Sequence, residues 1–292
     1  METLSKLDIA GASTFQVCGM SYRCFNGGIA VKLAVQENLV PGKVFGEKIR
    51  RAEEFGFEGI EVWGSDLPQR FREVKESLSS SRIKLSTVCS GYSGDLLGPD
   101  RKSRELAIES IKERLKLCAE LGGVGVITVP TFSGPKISDL YPLYSDIREV
   151  EIKILVEECK NLGAYADDVG AYVLLEPLNR YETHLINRLQ QAVEVCKAVG
   201  REHVKIMADF FHMNIEEPNI AQSIEDAGEY IMHIHLADSN RLLPGYGHTD
   251  FKSGFGALKR VGFRNYMALE CRVPGDPNVE LPKCVKYLRS LF

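Results

Sequence analysis

Short apolar runs alternate with longer amphipathic segments along nearly the whole chain. The short runs span 29–35, 59–63, 83–89, 124–129, 171–175, 204–208, 231–236 and 266–269. They are rich in Val, Ile and Leu and are seldom broken by charge, the composition of strands buried on both faces of a parallel sheet. The segments between them read as helices over 44–55, 69–79, 102–121, 147–169, 188–199, 219–226, 254–261 and 279–291. Within one of them, Ala107, Ile108, Ile111, Leu115 and Cys118 recur at the spacing of a single helical face. Gly56, Gly163, Gly200 and Gly262 stand where C-terminal helix caps are expected.

Eight strand–helix units predict an α/β chain folded as a single (β/α)8 TIM barrel over 28–292, preceded by an N-terminal extension over 1–27. The alternative is an open doubly wound sheet, but no GxGxxG follows the first strand. A length of 292 residues suits one large barrel as well as two smaller domains, and no linker divides the chain.

In a barrel the chemistry sits at the C-terminal ends of the strands. The fifth run ends at Glu176, the sixth at Asp209 and the eighth at Glu270, while the seventh carries His235 near its end. Neighbouring strands lie about 4.8 Å apart, so these four side chains are expected to converge. Three carboxylates with one imidazole suit Mn²⁺, Mg²⁺ or Co²⁺ better than a thiolate-rich zinc site. All six histidines fall between 184 and 248, which places any imidazole chemistry in the second half of the chain.

Charge and cysteine content narrow the function classes. The net charge is −4 with both signs interspersed, which argues against a protein that binds nucleic-acid phosphates. No apolar stretch is long enough to span a bilayer, and the N-terminus lacks a signal-peptide pattern, so a cytoplasmic protein without a membrane partner is expected. The eight cysteines form no CxxC and are expected to be reduced thiols.

The local motifs are Glu176-Pro-Leu-Asn-Arg-Tyr-Glu182, Asp209-Phe-Phe-His212-Met-Asn-Ile-Glu-Glu217, His233-Ile-His235-Leu-Ala-Asp-Ser-Asn-Arg241 and Glu270-Cys-Arg272. Through them the chain resembles the sugar-epimerase branch of the xylose isomerase-like barrels, the family of D-tagatose 3-epimerases and D-psicose (allulose) 3-epimerases. The resemblance is strongest over 171–272. It implies a metal held by Glu176, Asp209, His235 and Glu270, with Mn²⁺ typical and Co²⁺ or Mg²⁺ accepted. It implies substrate contacts from Glu182, His212 and Arg241, a small-molecule sugar as substrate, and a homodimer or homotetramer.

The chemistry agrees. Inverting a carbon next to a carbonyl removes a proton from one face and returns one to the other, which takes two acid/base groups. Glu176 and Glu270 are the expected pair. A divalent cation acting as Lewis acid would hold the enediolate charge. An aldose–ketose isomerase of the hydroxypyruvate isomerase type is the nearest alternative on the same site. A nuclease of the apurinic endonuclease type would need several more histidines, and a non-catalytic sugar binder would not need two acid/base groups.

Other residues carry plainer expectations. His233 reads as a hydrogen-bonded barrel residue one layer below His235, and His184 and His203 as surface or capping groups. His248 reads equally as a mouth or a loop residue. Glu61 reads as a loop cap, Trp63 as core, and Glu216 and Glu217 as acids opening a helix. Three departures from the ketohexose pattern stand out: Phe at 211, no Trp in Thr128-Val-Pro-Thr-Phe132, and Cys271-Arg272 after the last-strand Glu. Arg272 is accordingly expected to meet a carboxylate or phosphate on the substrate, or to admit a larger one.

Overall fold

The structure, a computed structural model, describes residues 32–292. The expected extension over 1–27, the first residues of the first strand, Cys18 and Cys24 lie outside the described residues. Eight parallel strands close into a barrel in sequence order. They are β1 (Lys32–Gln36), β2 (Gly59–Trp63), β3 (Lys84–Cys89), β4 (Gly125–Thr128), β5 (Tyr172–Leu175), β6 (Val204–Asp209), β7 (Ile231–Leu236) and β8 (Tyr266–Leu269). The ring shuts where β1 pairs with β8, from Lys32 opposite Tyr266 to Val35 opposite Leu269. This is the (β/α)8 TIM barrel expected from the pattern.

The helices are α1 (Phe45–Glu54), α2 (Leu67–Ser79), α3 (Arg101–Glu120), α4 (Ile147–Val169), α5 (Leu189–Val199), α6 (Phe210–Glu216), α7 (Ile220–Ala227), α8 (Phe251–Arg260) and α9 (Pro277–Arg289). Their starts follow capping chemistry. Asp100, Asp146, Asn219, Asp250 and Asp276 each accept a backbone N–H of the first turn. Gly200 ends α5 in the left-handed conformation, as expected, at φ 66°. Gly163 is not a cap. It lies inside α4, where a Cβ would press on Val204 at 2.7 Å, and Gly170 ends that helix instead at φ 79°.

One apolar layer fills the space between strands and helices, with Leu33, Ile60, Val88, Val126, Leu175, Ile206 and Ile234 facing Ile49, Ile111, Leu155 and Leu281. A smaller cluster, Cys89, Ile127, Leu174 and Met207, packs apart from it, with Trp63 half-buried against it. Trp63, expected in the core, is thus only partly buried. The six cysteines among the described residues are unpaired, and all but Cys271 are buried. No helix of the described residues is long and apolar enough to cross a membrane.

Helix α6 was not expected. It follows β6 without a loop, because Asp209 is both the last strand residue and the helix cap: its Oδ1 accepts from Phe211 N at 2.7 Å. Glu216 and Glu217 consequently end α6 rather than opening a helix, and the opening cap of α7 is Asn219. Glu217 instead accepts from Leu189 N at the start of α5, and Glu216 grips Arg180 with two side-chain bonds of 2.9 and 3.0 Å.

Candidate active site

The C-terminal ends of β5 to β8 bring Glu176, Asp209, His235 and Glu270 together. One ligand atom from each lies within 4.8 Å of the others. The backbone explains this. Asp209 and His235 are level partners across β6 and β7, beyond a register shift at Ile206–Met207 that realigns the two strands. Glu176 and Glu270 continue the ladder one residue past their strands, Glu176 N donating to Thr128 O and Glu270 N to Leu236 O. His235 and Ala268 pair on the other side of β7.

Two atoms of this group, Asp209 Oδ2 and His235 Nδ1, are buried without a hydrogen-bond partner. An unsatisfied buried polar atom costs about 1–3 kcal/mol. Both orphans, on adjacent strands and facing two further carboxylates, fit a cation held between them. The donor set, three carboxylates and an imidazole, matches hard to borderline divalent metals.

The substrate-contact candidates surround this group. His212, on α6, is buried. Its Nδ1 accepts from the Asn179 backbone N–H at 3.1 Å, and a backbone N–H can only donate. In the neutral ring the proton therefore sits on Nε2, which lies 3.4 Å from Asp209 Oδ2 and 4.0 Å from Glu176 Oε1. Asn179 was not singled out from the sequence. It orients His212 through its backbone N–H and donates from Nδ2 to Glu182 at 2.9 Å, while Glu182 itself stays 3.9 Å from His212. Arg241 donates from Nη2 to Glu270 Oε2 at 2.9 Å and lies 3.6 Å from Glu182, so all three candidates do gather at the site. Arg241 is held at φ 58°, a strained backbone for a non-glycine residue. Buried Asp238, which accepts from Ser239, Gly245 and Thr249 backbone N–H groups, braces the loop that imposes it.

Glu61 overturns its loop reading. It points into the barrel from the middle of β2, fully buried. Both its oxygens meet His235 Nε2, at 3.1 and 3.0 Å, and it also accepts from His233 Nε2, Thr87 and Gln36. The signal in the sequence was a lone carboxylate inside an apolar strand, which must be paired to be buried. His233 is the hydrogen-bonded barrel residue expected. His184 and His203 bond Glu151 and Asp167, and exposed His248 lines a separate groove with Asn214 and Asp250.

The electrostatics divide the carboxylates. Burial pushes the Glu176 carboxyl well above the ordinary carboxylate range, with His235 opposing and Glu270 and Asp209 adding to it. Burial works the same way on Glu270, but His235 and Arg241 outweigh it and hold that carboxyl below its ordinary value. Burial lowers His212, and nearby Arg241 adds to this. A cavity of about 420 Å³ opens above the group, lined by Gln36, Phe211, Asn240, Arg241, Cys271 and Arg272 beside Glu270.

Comparison with known proteins places this geometry. The xylose isomerase-like TIM barrel family model matches residues 49–291. Among curated proteins, the chain is 34% identical over 247 residues to the 3-dehydro-D-guloside 4-epimerase of Escherichia coli, covering 84% of this chain and 94% of that one. It is 36% identical over 237 residues to the D-psicose 3-epimerase of Agrobacterium fabrum, covering 77% and 78%. Among solved structures, the 3-keto-D-glucoside 4-epimerase of E. coli superposes with a TM-score of 0.82 at 30% identity, over 89% of this chain and all of that one. The D-psicose 3-epimerase of Clostridium cellulolyticum, at 24% identity and a TM-score of 0.78, shares the fold. The chain thus belongs to the xylose isomerase-like TIM barrel family, among relatives that include sugar epimerases.

Proposed function

We propose that this protein is a divalent-metal-dependent sugar epimerase that inverts the carbon next to the carbonyl of a ketose or keto-sugar. The observation that carries the reading is the convergence of Glu176, Asp209, His235 and Glu270 with two partnerless buried atoms aimed among them. The relatives are an isomerase-class group acting on carbohydrates, and both 3-epimerases and a 4-epimerase occur among them.

In this reading the four residues hold the metal, with Mn²⁺ the first choice and Co²⁺ or Mg²⁺ alternatives. Once bound, it would act as a Lewis acid on charge developing at the carbonyl oxygen. The chain does the rest. Glu176 and Glu270 enter from β5 and β8, on either side of Asp209 and His235, and serve as the acid/base pair. One takes the proton on one face of the reacting carbon and the other returns a proton to the opposite face. Their order depends on which epimer is bound. Arg241 and the His212 Nε2–H donate to substrate oxygens, and Glu182 accepts from a hydroxyl.

The test is deuterium uptake during turnover in heavy water across a panel of ketoses and keto-sugars. Incorporation at the single inverted carbon is expected. Deuterium delivered to the carbon beside a newly formed aldehyde would point to aldose–ketose isomerisation. Epimerised product without deuterium from solvent would overturn the proton-transfer mechanism.

A further inference from the structure

We propose that Gln36 and Glu61 act as a positioning pair that aims His235 and Glu270 at the metal and the substrate, an inference that rests on the metal-site reading above. The two residues are level partners across β1 and β2, on the side of the barrel opposite the β5–β7 ligands. Neither touches the Glu176 or Asp209 carboxylate.

Glu61 fixes the histidine. An ionised carboxylate only accepts hydrogen bonds, so the ring nitrogen facing it must carry the proton. That nitrogen is Nε2, 3.0 Å from Glu61 Oε2. Nδ1 is left for the cavity, 3.3 Å from Glu270 Oε2 and 3.9 Å from Glu176 Oε1. The orientation is over-determined, because His233 Nε2, Thr87 Oγ1 and Gln36 Nε2 all donate to the same carboxylate, at 3.0, 2.5 and 2.9 Å. Glu61 cannot rotate without breaking several bonds in a site closed to water.

Gln36 carries the constraint across the barrel seam. Its amide nitrogen lies 2.9 Å from Glu61 Oε1 and 3.0 Å from Glu270 Oε1. One N–H can serve each carboxylate, and the amide oxygen could serve neither, so the amide has a single workable orientation. Glu270 is thereby gripped from two sides, by Gln36 on Oε1 and by Arg241 on Oε2. A metal-bound histidine is commonly steered by a carboxylate behind it. Here the same carboxylate also reaches an acid/base glutamate through an amide.

Two measurements test the pair. The first titrates the metal-free full-length protein with Mn²⁺ by calorimetry and needs no turnover. Glu61→Gln is expected to bind about 10–100-fold more weakly than wild type. Equal affinity would overturn the inference and leave the functional reading standing, whereas a wild type that binds no divalent metal would sink both. The second uses wild type, so it survives a misfolded variant: ¹⁵N NMR of the Mg²⁺-loaded protein, which has only six histidines to assign. A protonated Nε2 and an unprotonated, metal-bound Nδ1 on His235 are expected, and the reverse tautomer would overturn the inference. For the other member, Gln36→Leu is expected to lower kcat roughly tenfold or more with little change in KM, since a loosened Glu270 loses alignment rather than binding. Unchanged kcat would remove Gln36 from the pair.

Discussion

Arg241 and Glu270 meet head-on at the barrel mouth, with Nη2 donating to Oε2 at 2.9 Å while the guanidinium lies 4.6 Å above the Phe211 ring. A planar, forked cation can grip Glu270, approach Glu182 and stack on an aromatic ring at once, but an ammonium cannot. Arg241→Lys is therefore expected to lower kcat/KM at least about tenfold even though the charge is kept. Steady-state kinetics check this, and wild-type values in the variant would show that charge alone suffices.

Glu270→Gln keeps the shape of the side chain and removes its basicity. Epimerisation should fall by about 10²–10⁴-fold, the usual contribution of a positioned acid/base group. The barrel should still fold, although the amide can accept from only one of Gln36 and Arg241, which both donate to the carboxylate in wild type. Near-normal turnover would refute the two-carboxylate mechanism.

Arg272 offers a substrate test. Among the described residues its side chain has one long contact, Nη2 to Asn240 O at 3.4 Å, and no carboxylate partner, and it lines the cavity beside Glu270. Arg272→Ala is expected to reduce kcat/KM for keto-sugars bearing a carboxylate or phosphate by roughly 10–100-fold, the worth of a charge-assisted hydrogen bond. Neutral keto-sugars should be little affected. An equal loss for both classes would remove the anion preference.

Away from the site, Glu158 on α4 sets a pH dependence. Burial raises its carboxyl to about 8, because Arg104 at 3.7 Å only partly offsets it and Asp95 adds repulsion. A raised folded-state value means that the stability tied to the neutral carboxyl is fully present below about 4.5 and is lost as pH climbs through 8. Glu158→Gln should therefore gain on wild type as pH rises. Urea midpoints at pH 6 and pH 9 read this directly, and a constant difference between the two proteins would contradict it.

Helix α8 comes so close to α6 that a Cβ at Gly254 would sit 2.5 Å from Phe210 Cε1. Phe210 is itself stacked on Phe251 at 5.4 Å, so it has nowhere to go. Gly254→Ala should destabilise the fold by about 1–3 kcal/mol, as overpacking does. Denaturant unfolding measures it, and an unchanged midpoint would mean that α6 can shift.

The barrel and four converging residues were legible because buried parallel strands announce themselves as uninterrupted Val/Ile/Leu runs, and the residue that ends such a run is confined to the active face. What was not legible depended on cross-strand contacts. Glu61 and Gln36 matter only because β2 faces β7 and β1 closes on β8, and no local pattern encodes that. Helix α6 escaped because seven residues carry too few turns for periodicity to show, and its cap, Asp209, had already been read as a strand end. Asn179 was hidden for a different reason: it steers His212 partly through its backbone N–H, a group every non-proline residue has.

The β1–β8 seam has a consequence for biogenesis. Gln36 and Glu270 touch although 234 positions separate them in the chain. During synthesis, β1 to β7 can emerge and stack while this contact is still impossible, so the candidate site cannot be complete until the eighth strand joins. Contacts this distant in sequence slow folding. Affinity at the proposed metal site would then report ring completion: a chain stalled before its eighth strand keeps Glu176, Asp209 and His235 but should bind a divalent ion more weakly.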